Sequence, residues 1–168
     1  MKTNIPLLFF VLTVHTGFAQ ETEIDRRNGF KDIKMASHID SVKGAVFKKE
    51  IKEKNHPAKL YAIENPDYQS IGEVKIESIE VKTFKGLIYQ ISVITEKDSR
   101  LMKGMESALG KPTYNLREDS YNWVGENVAL KFRSHKKNQL ELLYGSFVVY
   151  RLMQEDKAKK IKDISGDF

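Results

Sequence analysis

The residues from Leu87 to Ile94 constrain the fold more than any others. Leu87, Tyr89, Ile91 and Val93 alternate with Ile88, Gln90, Ser92 and Ile94, the period of two that marks a β-strand with a strongly apolar face. Ahead of this run, Val74 and Ile76 hold one phase while Ile79, Val81 and Thr83 hold the other. A one-residue slip turns every later side chain over, so the change of phase near Glu77 and Ser78 predicts a bulge. Gly86, free to adopt positive φ, joins the two runs as a hairpin.

A helix follows. Leu101, Met102, Met105, Ala108 and Leu109 make one apolar stripe facing a sheet, over a span of roughly Ser99 to Leu109. Asp98 or Ser99 caps its start, Gly110 ends it and Pro112 bars its resumption. Gly104, inside the stripe, predicts a close approach of this helix to the sheet.

A fainter copy of the hairpin lies downstream. Val128, Leu130 and Phe132 alternate with Ala129, Lys131 and Arg133, and Leu140, Leu142 and Tyr144 return after a polar turn. Residues 120–125 read as a strand before it, with Tyr121 and Trp123 on one face. Upstream, Ser37 and Asp40 have the spacing of a capping box, and Ile39, Val42 and Val46 predict a first helix from about Ile39 to Phe47. Residues 48–57 read as a charged loop or an exposed continuation of that helix, 59–63 as a strand, and 64–67 as a turn set by Asn65, Pro66 and Asp67. Residues 147–150 either extend the last strand or begin the final helix, which covers 150–164.

The expected fold class is therefore α+β: an antiparallel sheet with short helices on one face, in a single domain over 29–168. Its element order, helix and three strands twice over, matches between 36–96 and 97–145, as an internal duplication would produce.

The chain opens with the pattern of a signal peptide over 1–19: Lys2, an apolar run from Leu7 to Val14, and small residues at Gly17 and Ala19. That run is shorter than the roughly 20 residues of a membrane span, so the expected product is periplasmic or secreted. Residues 20–28 are polar and read as a flexible lead into the domain. The sequence contains no cysteine. Lipid anchoring through a lipobox, disulfides, thiolate catalysis and thiolate metal sites are excluded together. The net charge of +5 is spread through interleaved acids and bases, unlike the unbroken basic stripe of a nucleic-acid binder.

A helix ending at Leu109, Gly110, Lys111 and Pro112, a polar loop, and then Tyr121, Asn122 and Trp123 opening an apolar hairpin resemble small exported bacterial domains. The group has the fold of β-lactamase inhibitor protein and includes the SmpA/OmlA-type envelope proteins. The resemblance covers about 98–145, with element order alone matching over 33–95. It implies a sheet with helices on one face that binds other proteins and does not catalyse. The chain departs from the envelope lipoproteins in having no Cys to carry lipid, which argues against a role at the outer-membrane assembly machinery.

No motif carries chemistry. Gly104–Pro112 has the wrong glycine spacing for a phosphate loop, and Pro112 stands where a magnesium-binding Ser or Thr is needed. His38, His56 and His135 lack metal-ligand spacing. No nucleophile elbow surrounds a serine, and Glu77/Glu80 and Glu118/Asp119 read as solvated charge. No cofactor is expected. Tyr121, Trp123 and Arg133 have the composition of a binding hot spot, with Trp123 alternatively in the core under the second helix. The reading is a non-catalytic module binding an envelope or secreted protein, a peptide or another ligand, through the open sheet face or the loops at 64–72 and 113–119. An extracytoplasmic hydrolase is the alternative.

Overall fold

The computed structural model describes residues 21–53 and 55–166; the leader lies outside them. The protein is α+β. In chain order the elements are α1 (Glu23–Arg27), β1 (Gly29–Phe30), β2 (Ile33–Lys34), β3 (Ala45–Glu53), β4 (His56–Ile63), β5 (Ser70–Ile71), β6 (Val74–Phe84) and β7 (Leu87–Glu96). Then come α2 (Ser99–Leu109), β8 (Thr113–Asn115), β9 (Ser120–Val124), β10 (Val128–Ser134), β11 (Gln139–Ser146) and α3 (Phe147–Ser165). Among the described residues the large sheet has nine strands in the order β3-β4-β6-β7-β11-β10-β9-β8, with β5 added to β6.

The β6–β7 hairpin sits near the middle of this sheet. Its turn is Lys85-Gly86, with φ of 51° and 84°, the doubly positive pair that matches the twist of the flanking strands. The register shifts between Ile76 and Ser78, where the hydrophobic phase changes in the sequence. Two antiparallel meanders, β3-β4-β6-β7 and β8-β9-β10-β11, meet along β7 and β11, with Val93 opposite Leu142 and Ile91 opposite Tyr144. This shared strand order is a fact of topology. The halves otherwise differ, for only the second opens with a full helix.

Several expected elements take another form. The helix expected over 39–47 shrinks to a 3-10 turn at Ile39–Ser41, and residues 45–53 form the edge strand β3. Gly44 explains the change: at φ +79°, where any Cβ would lie only 2.5 Å from the Glu64 carbonyl oxygen, it suits a turn packed on neighbouring backbone and not a helix interior. The charged stretch read as a loop is exposed because it forms the sheet's edge, where lysines discourage pairing with another chain. The polar lead is not loose either. Residues 23–27 form α1, capped by Thr22, with Ile24 and Asp25 buried.

The helices also cover both faces. α1, α2 and the β1–β2 hairpin close over the main core, which includes Ile33, Val81, Ile91, Val93, Trp123, Leu130 and Leu142. The last helix starts at Phe147, capped by the Ser146 hydroxyl, and turns back over the opposite face. There Val149 and Met153 join Phe84, Tyr89 and Ala58 in a second cluster. The sheet therefore has no fully open face.

Candidate functional site

Trp123 is core. Its indole Nε1 donates to the Gly110 carbonyl oxygen at 2.7 Å, tying β9 to the end of α2. Tyr121 shares that face, because Phe132 stands opposite Tyr121 and Leu130 opposite Trp123. It lies toward the sheet edge, half-exposed and packed on Tyr114 with ring centroids 4.9 Å apart. Arg133 points to the other face, where its Nε and Nη2 both lie 2.7 Å from Glu141 Oε2. Ser92 donates to the other oxygen of this buried carboxylate at 2.8 Å. The three residues do not converge. One is committed to the core and one to an ion pair, leaving Tyr121 with Tyr114 as an exposed aromatic pair.

Replacing Trp123 with Phe retains most of the apolar volume and removes the tie to Gly110. We expect a loss of about 1–2 kcal/mol in urea unfolding, with the exchange protection of the last turn of α2 reduced. Unchanged protection there would show that the indole does not hold the helix end.

The larger feature lies beneath α2. A cavity of about 790 Å³ separates the helix from α1, the β1–β2 hairpin and the β5–β6 turn. Its size falls within the range of small-molecule sites. Leu101, Gly104, Met105 and Ala108 line it at helical positions i, i+3, i+4 and i+7, one continuous face. Of α2's apolar stripe only Leu101 is fully buried. Gly104 does not mark a close approach: a Cβ built there meets nothing within 4 Å. Leu101, Met102, Met105 and Leu109 of α2 still pack against the core, and the missing side chain at Gly104 leaves room beside them in the cavity.

Ile24, Phe30, Val74, Leu142 and Tyr144 supply the other apolar walls. Tyr144 also brings a polar atom. Burial pushes its phenol well above the ordinary value, with the nearby Arg27 cation opposing in part. The phenol therefore stays protonated at neutral pH. Among the described residues its hydroxyl has no hydrogen-bond partner.

The rim is cationic. Arg27, Lys31, Lys34 and Arg100 line it with one acid, Glu73. Arg100 is already neutralised, at 2.8 Å from both Asp98 and Glu73. Arg27 has only a loose partner, Glu23 at 3.7 Å. The two lysines differ from both. Lys31 Nζ donates to the carbonyl oxygens of Asp67 and Ser70, each at 3.0 Å. Lys34 Nζ donates to those of Arg27 and Lys31, at 2.8 and 3.1 Å. These bonds hold the ammonium groups in place without cancelling their charge.

α1 owes its position to a single carboxylate. Asp25 Oδ2 accepts from Glu126 N at 2.6 Å and from the Thr22 hydroxyl at 2.8 Å; Oδ1 accepts from Asn127 N at 2.8 Å and Val128 N at 3.0 Å. The clamp fastens α1 to the β9–β10 turn, a hundred residues along the chain. Gly125 has no side chain because one would meet Asp25 Oδ2 at 2.3 Å. Burial pushes the Asp25 pKa up, and the hydrogen bonds outweigh it, holding the carboxyl below its ordinary value of 3.8.

Little else resembles a reaction centre. On the opposite face Glu53 Oε2 accepts from Lys82 Nζ at 2.8 Å and from the Tyr89 hydroxyl at 2.9 Å. Burial and Glu53 raise the Tyr89 phenol, which keeps its proton at neutral pH. His56 is buried against Phe84 and is not a loop residue. Among the described residues no cluster of three or more His, Asp or Glu could hold a metal, and no helix is long and apolar enough to cross a membrane.

Sequence reasoning missed the cavity-lining residues Arg27, Lys31 and Lys34, and read Gly104 as a point of close approach. The signal for α1 was present, since Thr22 and Asp25 stand at the three-residue spacing of a helix cap. Nothing in the spacing of Lys31 and Lys34 indicated a common rim. No protein family, curated protein or solved structure matches this chain.

Proposed function

We propose that this protein is an exported, non-catalytic binding module that takes a small, largely apolar molecule into the cavity beneath α2. The observation that carries this reading is the cavity along α2. Part of α2's apolar face packs on the core, and the same face lines a cavity of about 790 Å³ whose wall carries a tyrosine hydroxyl with no hydrogen-bond partner among the described residues. A helix retained only for stability gains by filling such a gap, because each lost contact costs free energy. Export rests on the pattern of residues 1–19, and the resemblance to envelope-protein domains is in keeping with a binding role. The hydrolase alternative gains no support from the tyrosines and carboxylates described above.

The test is direct. An environment-sensitive apolar dye should bind the purified protein saturably at one site, and its contacts should map to α2 and β1–β2 by chemical-shift perturbation. Dye binding confined to Tyr114 and Tyr121 would favour a protein-binding edge and overturn the cavity reading.

A further inference from the structure

Resting on that reading, we infer that the cavity's ligand is a single-chain anionic amphiphile, its apolar chain under α2 and its carboxylate or phosphate head at Lys31, Lys34 and Arg27. Two independent features point the same way. The cavity interior is apolar except for one hydroxyl, which suits a chain and excludes a polar body such as a sugar. At the mouth, cations outnumber acids, and the acid that lines it is already paired with Arg100.

The lysines are organised for an anion. Each ammonium is anchored by two backbone carbonyls, so its position is set before a ligand arrives. A lysine has three donors, so one donor on each remains for a head group. Among the described residues no carboxylate lies within 4.0 Å of either nitrogen, as the ion pairs of this surface all involve other residues. Lys31 Nζ also lies 5.5 Å from the Tyr68 ring centroid and 5.9 Å from that of Phe30. Those aromatic faces hold the cation beside the apolar entrance.

The occupant is a dispersed molecule and not a bilayer surface, because the cations surround a cavity mouth and do not form an extended flat patch. Neutral apolar molecules would use the same chamber more weakly, and cationic amphiphiles would be repelled at its rim.

The experiment compares four ligands with one chain length and different heads: dodecanoate, dodecyl phosphate, dodecanol and dodecyltrimethylammonium. They are titrated as monomers into protein expressed from the whole coding sequence. Both anions should bind at least about tenfold more tightly than the alcohol at low salt, with the ammonium compound weakest. The advantage should shrink as ionic strength rises. Lys34→Glu should remove most of it, and Lys34→Arg should retain it. Equal affinity for anions and alcohol would overturn the head-group inference while leaving the cavity reading intact, as would a preference for the ammonium compound. Binding of none of the four would overturn both. Association with anionic vesicles but not with dispersed anions would also overturn both, by assigning the charge to a membrane surface. Since the ligand series uses the unaltered protein, poor folding of a variant leaves the inference testable.

Discussion

Replacing Asp25 with Ala should lower the stability of the protein by about 3 kcal/mol and its thermal midpoint by roughly 10 °C. The carboxylate accepts hydrogen bonds from three consecutive backbone N–H groups and from Thr22. Its removal leaves the Val128 N–H buried without an acceptor. Asn is no remedy, since its amide nitrogen would direct donors at donors, and Asp25→Asn should fall close to Asp25→Ala. The pH dependence follows from the sign of the shift. The folded-state pKa lies below the ordinary value of 3.8, so the contribution is complete above that value. It is lost as pH falls through the folded-state pKa. Denaturant unfolding of wild type and variant should therefore differ most above pH 5 and converge in strong acid. A difference that stays constant down to the lowest pH at which the fold survives would show that the charge is not what Asp25 contributes. Because α1 also brings Ile24 and Arg27 to the cavity, the variant should bind ligand less tightly even where it remains folded.

Gly104→Leu should separate stability from binding. A leucine at this position joins Leu101, Met105 and Ala108 on the face of α2 that lines the cavity, and no atom opposes its Cβ. Helix propensity alone favours the variant by roughly 0.8 kcal/mol, and partial filling of the cavity adds apolar burial. The variant should unfold at a higher denaturant concentration and bind an apolar ligand at least about tenfold more weakly. A more stable protein with undiminished binding would place the ligand elsewhere. A less stable one would mean that the cavity is too shallow to accept the side chain. The expected trade of affinity for stability is the mark of a residue kept small for the ligand's sake.

The composition of a binding hot spot directed attention to Tyr121, Trp123 and Arg133, all on or near the second hairpin. Alternation put Tyr121 with Trp123 and set Arg133 out of phase with Phe132; only the register, with Phe132 opposite Tyr121, sends Arg133 to the face away from the aromatics. Sequence spacing could not say where α2 ends above that face. The Gly110 carbonyl oxygen reaches Trp123 and leaves Tyr121 outside, which makes one aromatic core and the other surface. Glu141 occupies the guanidinium of Arg133 from eight residues away, across the strand pair. The first helix failed as an expectation for a local reason: Ile39, Val42 and Val46 have helical spacing, but Gly44 favours the turn that starts β3.

By itself the sequence determined the strands of the two hairpins, β6–β7 and β10–β11. Period-two alternation, the slip of phase near Ser78, the Lys85-Gly86 turn and the Gly110-Pro112 stop are local properties, and local sterics enforce them wherever the chain goes. The tertiary structure alone decided how far α2 stands from the sheet, and so whether there is a cavity at all. That distance is set by side chains remote in sequence, with Asp25 fastening α1 to residues 126–128 and the β1–β2 hairpin bringing Lys31 and Lys34 to the rim. An amphipathic stripe records that a helix has an apolar face. Whether that face meets a sheet or a ligand depends on volumes that no single segment contains.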